Sequence, residues 1–177
     1  EYDAPIDIYA KNVTINITGN VEYTGTASPH PFLFRVQPGA KVTVNCSDAY
    51  TVSAEGGFDR GIMKVFWNEA GGQGDATISG GNFKSADYTT FFLSGGILHL
   101  ENVNATVERD YILNNHNGDF YATNCKLEAL QYAGIYNRYD GRVTLTNVTL
   151  TANNSYSVYN ERGETTINGG NYTSIFN

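Results

Sequence analysis

Cysteine and methionine are nearly missing from this 177-residue chain, which holds two of the first, one of the second, a single tryptophan and four prolines. Two cysteines cannot staple a disulfide scaffold. No apolar run approaches the roughly 18 residues that a membrane-crossing helix needs, so no membrane insertion is expected. Basic residues number 11 against 18 acidic ones, for a net charge of -7, and they are dispersed. A phosphate-binding face needs clustered Lys and Arg, so no nucleic-acid partner is expected either. Leucine, with nine copies, is too sparse for a helical protein.

What is present is strand and turn chemistry. Thr, Tyr, Val, Ile and Phe make up over a third of the chain, with 20 Asn and 19 Gly. These residues recur with a period. Gly74, Gly96, Gly118, Gly141 and Gly163 are spaced by 22, 22, 23 and 22 residues. Each opens an alternating pair: Ala76 and Ile78, Leu98 and Leu100, Phe120 and Ala122, Val143 and Leu145, Thr165 and Ile167. Such alternation reads as a half-buried strand. Six residues after each glycine stands Gly80, Asn102, Asn124, Asn147 or Gly169, the two residue types that best tolerate left-handed backbone, so a fixed corner is expected there.

A second strand follows the corner, and a third carries Phe91, Leu113, Ile135 and Val158, with Leu93, Asn115, Asn137 and Asn160 two residues further on. Three short strands per repeat predict an all-β β-solenoid of about six to seven coils. Asn115, Asn137 and Asn160 would stack as an amide ladder, with Asn102, Asn124 and Asn147 repeating at the corner. The early chain fits less well. Phe66 and Asn68 are expected as inward third-strand residues, Gly19 as a corner, and Val42, Val44 and Cys46 as one residue out of phase. The surplus between Gly39 and Gly74 is expected in a loop around Tyr50 to Gly61 and in the Glu69 to Gly74 turn. Residues 1–12 and 22–31 have no assignment. The boundaries drawn are 1–38 for an irregular N-terminal strand region and 39–177 for the regular coils, read as truncated at the C-terminal end.

The 22-residue period, the Gly or Asn corner, the second Asn stack and the phrases at Ile78–Phe83 and Ile167–Tyr172 resemble the right-handed parallel β-helix of the pectate lyase-like superfamily, over about 140 of 177 residues. Leucine-rich repeats share the period but set Asn three residues after a Leu, whereas Asn102 follows Leu100 by two. The resemblance implies the right-handed winding. It points to function only loosely, since the superfamily includes polysaccharide lyases and hydrolases, phage tailspikes, viral surface proteins and bacterial adhesins.

Candidate chemistry is thin. His99, Glu101, Asp119 and Tyr121 form an outward grid on adjacent coils and are weak catalytic candidates, with Glu101 and Asp119 on different columns. Asp87, Glu108, Arg109 and Asp110 share a turn region, but the arginine among them favours a salt-bridged surface over calcium, so no metal and no cofactor is expected. Cys46 and Cys125 are expected to be buried free thiols. Seven Asn-X-Ser/Thr sequons occur, at Asn12, Asn16, Asn45, Asn104, Asn147, Asn153 and Asn171. The third strand would set Trp67, Phe92, Asn114, Tyr136 and Tyr159 in an outward column bordered by His116 and Arg138; an exposed aromatic column usually means a partner, for sugar stacking or subunit assembly, though Tyr is also simply a good exposed strand former. The expected function is a non-enzymatic extracellular, cell-surface or virion-surface module, a rigid scaffold that binds a glycan or host-surface receptor or assembles as a homo-oligomer, a trimer by analogy. A polysaccharide lyase or glycoside hydrolase of the same fold is the alternative.

Overall fold

A computed structural model describes residues 2–26, 31–55 and 60–176. Among these residues all regular structure is β, with 21 strands and no helix. The strands form a nine-stranded and a twelve-stranded sheet, and all pairings but one are parallel. Parallel pairing follows from the repeat. Asn104 lies opposite Asn82 and Lys126 opposite Asn104, so the chain returns to pair with its own next repeat.

Three ladders result. The first holds Val13–Ile17, Lys41–Cys46, Asp75–Ser79, Ile97–Glu101 and Asp119–Thr123. The second holds Val21–Tyr23, Thr51–Ala54, Asn82–Ser85, Asn104–Val107 and Lys126–Ala129. Arg142–Ala152 and Glu164–Tyr172 run through the corner and serve both ladders, which joins them into the larger sheet. The third ladder makes up eight strands of the smaller sheet, Ile6–Ile8, Phe32–Val36, Gly61–Asn68, Phe91–Ser94, Leu113–His116, Ile135–Arg138, Val158–Asn160 and Ile175–Phe176, and the ninth, Gly72–Gln73, pairs with Gly61–Asn68 at its side.

Alternate residues of every ladder point into one shared core, where Val44, Ile78, Leu100, Ala122 and Leu145 succeed one another in register and are all buried. Gly80, Asn102, Asn124, Asn147 and Gly169 turn the chain between the first and second ladders with φ of 71°, 55°, 54°, 52° and 75°.

The asparagine column is inward and buried. Asn115 Nδ2 donates to Asn137 Oδ1 at 2.9 Å, and Asn137 Nδ2 to Asn160 Oδ1 at 2.8 Å. Each amide also caps the following turn, through Gly118 O, Gly141 O and Gly163 O at 2.9, 3.0 and 2.7 Å. This explains Gly118, Gly141 and Gly163 of the glycine repeat, whereas a Cβ on Gly96 would meet the Val65 side chain. A Cβ on Gly118 would stand 2.8 Å from Asn115 Oδ1, and one on Gly141 2.5 Å from Asn137 Oδ1. The glycine is the space into which the amide packs. Upstream the same column is apolar, through Val36, Val65 and Leu93.

The early repeats differ from the sequence expectation. Gly61–Asn68 is eight residues long, and its end folds back so that Trp67 pairs antiparallel with Gln73. Met63 and Val65, not Phe66 and Asn68, are the inward residues, because these two lie opposite Phe91 and Leu93 and are fully buried. Trp67 therefore leaves the outward column, and Lys64 takes its place beside Phe92. Val42 is in phase after all: Lys41 lies opposite Asp75, so Ala40 occupies the position of Gly74. Thr51–Ala54 is a strand rather than loop, since Val52 and Ala54 fill the inward positions of the second ladder; residues 56–59 of that expected loop lie outside the described residues. Gly19 has no left-handed φ. The unassigned stretches supply the strands Ile6–Ile8 and Val21–Tyr23, so the segment 1–38 contributes to the same ladders as the rest.

Candidate functional site

The outer face of the third ladder presents, in register, Arg35, Lys64, Phe92, Asn114, Tyr136, Tyr159 and Phe176. Parallel pairing stacks these residues one layer apart, near 4.8 Å, close enough for ring-to-ring contact. Tyr136 meets Tyr159 at 5.3 Å, and Tyr159 stacks on Phe176 at 5.0 Å with the planes only 8° apart. Tyr111, Tyr132 and Tyr156, from the turns before the third strands, join at 5.1 to 6.0 Å. Tyr132 is 54 % exposed, Tyr156 39 % and Phe176 44 %. Asn114 interrupts the rings, and its Oδ1 is buried without a hydrogen-bond partner. Beyond it a second cluster forms, in which Phe92 contacts His116 at 4.9 Å and Lys64 Nζ lies 4.7 Å over Phe66 and 4.9 Å over Phe92. Burial and the Arg35 charge hold the Lys64 ammonium below its usual pKa.

A neighbouring column runs Ser94, His116 and Arg138. Arg138 Nη1 lies 3.4 Å from His116 Nε2 and Arg138 Nε 3.3 Å from Glu161 Oε2, while its guanidinium covers the rings of Tyr136 and Tyr139 at 4.7 and 5.2 Å. The Tyr136 hydroxyl donates to Glu161 at 2.7 Å. Burial first, and then this bond, push the Tyr136 hydroxyl up to about 12. The same bond holds Glu161 below its ordinary range. His116 is lowered by burial and by the charges of Arg138 and Lys64.

Where the third strand ends, Gly95, Asn117 and Tyr139 turn the chain with φ of 81°, 60° and 58°. Around this second corner opens a cleft of about 490 Å³, walled by Trp67 and Tyr139 and lined by Gln73, Ser94, His116 and Asn117 over Gly95. Sequence reasoning found Trp67 and His116 but missed the others. A signal existed in Gly95 and Asn117, which repeat the Gly or Asn preference 22 residues apart; Tyr139 breaks it.

In the first-ladder grid Glu101 is exposed, His99 and Tyr121 are half-buried and Asp119 is buried. His99 stacks on Tyr121 at 4.7 Å, and Asp119 is held by Arg142 through two bonds of 2.7 and 2.6 Å. Asp119 lies opposite Ile97, four residues from Glu101 on the same strand. That is roughly 13 Å along the strand, beyond the roughly 5–9.5 Å that paired glycosidase carboxylates need. Arg109 pairs with Asp87 at 2.9 Å, and among the described residues no group of three His, Cys, Asp or Glu converges on a metal position. Cys46 and Cys125 are free and buried. All seven sequon asparagines are exposed, and none lies in a third-ladder strand. No family model matches this chain, and neither a curated protein nor a solved structure shows a significant similarity to it.

Proposed function

We propose that the chain winds as a right-handed parallel β-helix of the pectate lyase-like kind, with three strands in each of about six to seven coils, and serves as a non-catalytic binding module on an extracellular, cell or virion surface. The observation that carries this reading is the run of touching, half-exposed rings from Tyr111 to Phe176 on one outer face. Rings supported on consecutive strands lose little conformational freedom on binding, and aromatic residues with polar tips suit a partner that is partly wet. The partner is a host-surface receptor or glycan, or further copies of the chain in a homo-oligomer. Capture of glycans and candidate receptors by the wild-type protein, Tyr136→Ala and Tyr159→Ala, run beside light scattering, tests the reading. Loss of capture in the variants identifies a receptor face, and a shift to monomer identifies an assembly face. Variants unchanged in both would remove the face from consideration.

A further inference from the structure

The cleft between Trp67 and Tyr139 lies beside the tyrosine cluster but has a different chemistry. Its construction is costly. Tyr139 holds a left-handed φ of 58°, a region that side chains other than Asn and Asp rarely adopt. Such backbone strain at a residue whose ring lines a cleft is a pointer to function. On the opposite wall Trp67 is carried by the hairpin with Gln73 and packs directly over Gly95, where a Cβ would come within 2.8 Å of the Trp67 Cβ. Two aromatic side chains thus face one space across a glycine floor.

The polar lining has spare capacity of both kinds. Arginine can only donate, so the 3.4 Å approach of Arg138 makes His116 Nε2 the acceptor and places the ring proton on Nδ1. Asn117 Oδ1 accepts from the Asp140 amide at 3.1 Å, which leaves its NH2 group. Gln73 Nε2 donates to Gly95 O at 3.2 Å, which leaves Oε1 as an acceptor. The Ser94 hydroxyl can serve either way. No Lys, Arg, Asp or Glu lines the space. Arg138 is occupied by Glu161 and the two tyrosine rings, and burial together with the Arg138 and Lys64 charges favours the neutral imidazole of His116. The charged groups belong to the adjoining cleft, which shares Gln73 and Asn117 and adds Asp119, Asp140, Arg142, Arg162 and Glu164.

A ligand matching this lining has two apolar flat faces, vicinal groups that both donate and accept, and no charge. The geometry points to a binding site for a neutral pyranose residue, its C–H faces against Trp67 and Tyr139 and its hydroxyls on Gln73, Ser94, His116 and Asn117. It rests on the reading of the chain as a non-catalytic binding module, and it excludes acidic sugars as the preferred ligand, since their carboxylate would find no cation in the lining.

Trp67 is the single tryptophan of the chain, so its emission reports on this cleft alone. The test titrates the protein through the millimolar range with methyl glycosides of glucose, galactose, mannose and N-acetylglucosamine, and with the free-acid methyl glycoside of galacturonic acid. The expected result is a saturable change in emission with at least one neutral glycoside and a weaker or absent response to galacturonate. Tyr139→Gly removes the ring while relieving the left-handed strain, and it should weaken the response about tenfold or more. Gln73→Ala, away from the strained position, should weaken it as well. Silence with every neutral glycoside, a stronger response to galacturonate, or a response unaltered in both variants would overturn the assignment. Tyr159→Ala separates this site from the tyrosine face: it should leave the Trp67 response intact even where it abolishes partner capture.

Discussion

Asn137 donates to Asn160 at 2.8 Å and accepts from Asn115 at 2.9 Å, all within the buried column that upstream is filled by Val65 and Leu93. A fully satisfied amide chain is tolerable in a core, whereas a broken one leaves polar groups stranded. Asn137→Ala should cost about 1–3 kcal/mol, read as a lower urea midpoint, and leave Trp67 emission responses unaltered. Equal midpoints would mean that the amides contribute nothing beyond packing.

The corner makes a paired prediction. Asn124 holds φ of 54° with its amide proton donated to Thr146 O at 3.0 Å. Asn124→Ala should cost about 1–2 kcal/mol, while Asn124→Gly should be close to neutral, because glycine enters the left-handed region without a Cβ clash. Denaturation curves for the two variants decide it; equal costs would place the effect in the side chain rather than the backbone.

The Tyr136 and Glu161 pair gives a pH dependence whose sign is set by both partners. Glu161 is depressed, so its contribution is present above its ordinary value of 4.5 and is lost as pH falls through its folded value. Tyr136 is raised, so its contribution is complete below 10.0 and is lost as pH rises through about 12. The melting difference between the wild-type protein and Tyr136→Phe should therefore be widest between about pH 5 and pH 10 and narrow on either side. A difference constant from acid to alkali would contradict the bond.

Both thiols should be inert in the folded protein. Cys46 is 8 % exposed and Cys125 3 %, and burial raises both. A thiol reagent should label neither until denaturant is added, then both. Rapid labelling of the native protein would reveal opening of the corner at Cys46.

The spacing of Glu101 and Asp119 predicts no hydrolysis of polysaccharide by this pair of carboxylates. Release of unsaturated or reducing ends, abolished by Glu101→Gln or Asp119→Asn, would restore the enzymatic alternative.

The amino-acid sequence by itself determined the all-β character, the strand positions from Gly74 onward and the left-handed corner, because these are local: alternation marks a half-buried strand, and Gly or Asn at one recurring position marks φ above zero. It also determined which asparagines share a column. It did not determine why a glycine recurs, since that follows from packing across the turn, by the Asn137 amide at Gly141 and by the Val65 side chain at Gly96. Nor did it determine the register of Gly61–Asn68. Period-two alternation is satisfied by Met63 and Val65 as well as by Phe66 and Asn68, and only the pairing with Phe91 and Leu93 selects between them. That choice moved Trp67 from the column into the wall of a cleft that Tyr139 also lines, two positions 72 residues apart that strand stacking brings to one space.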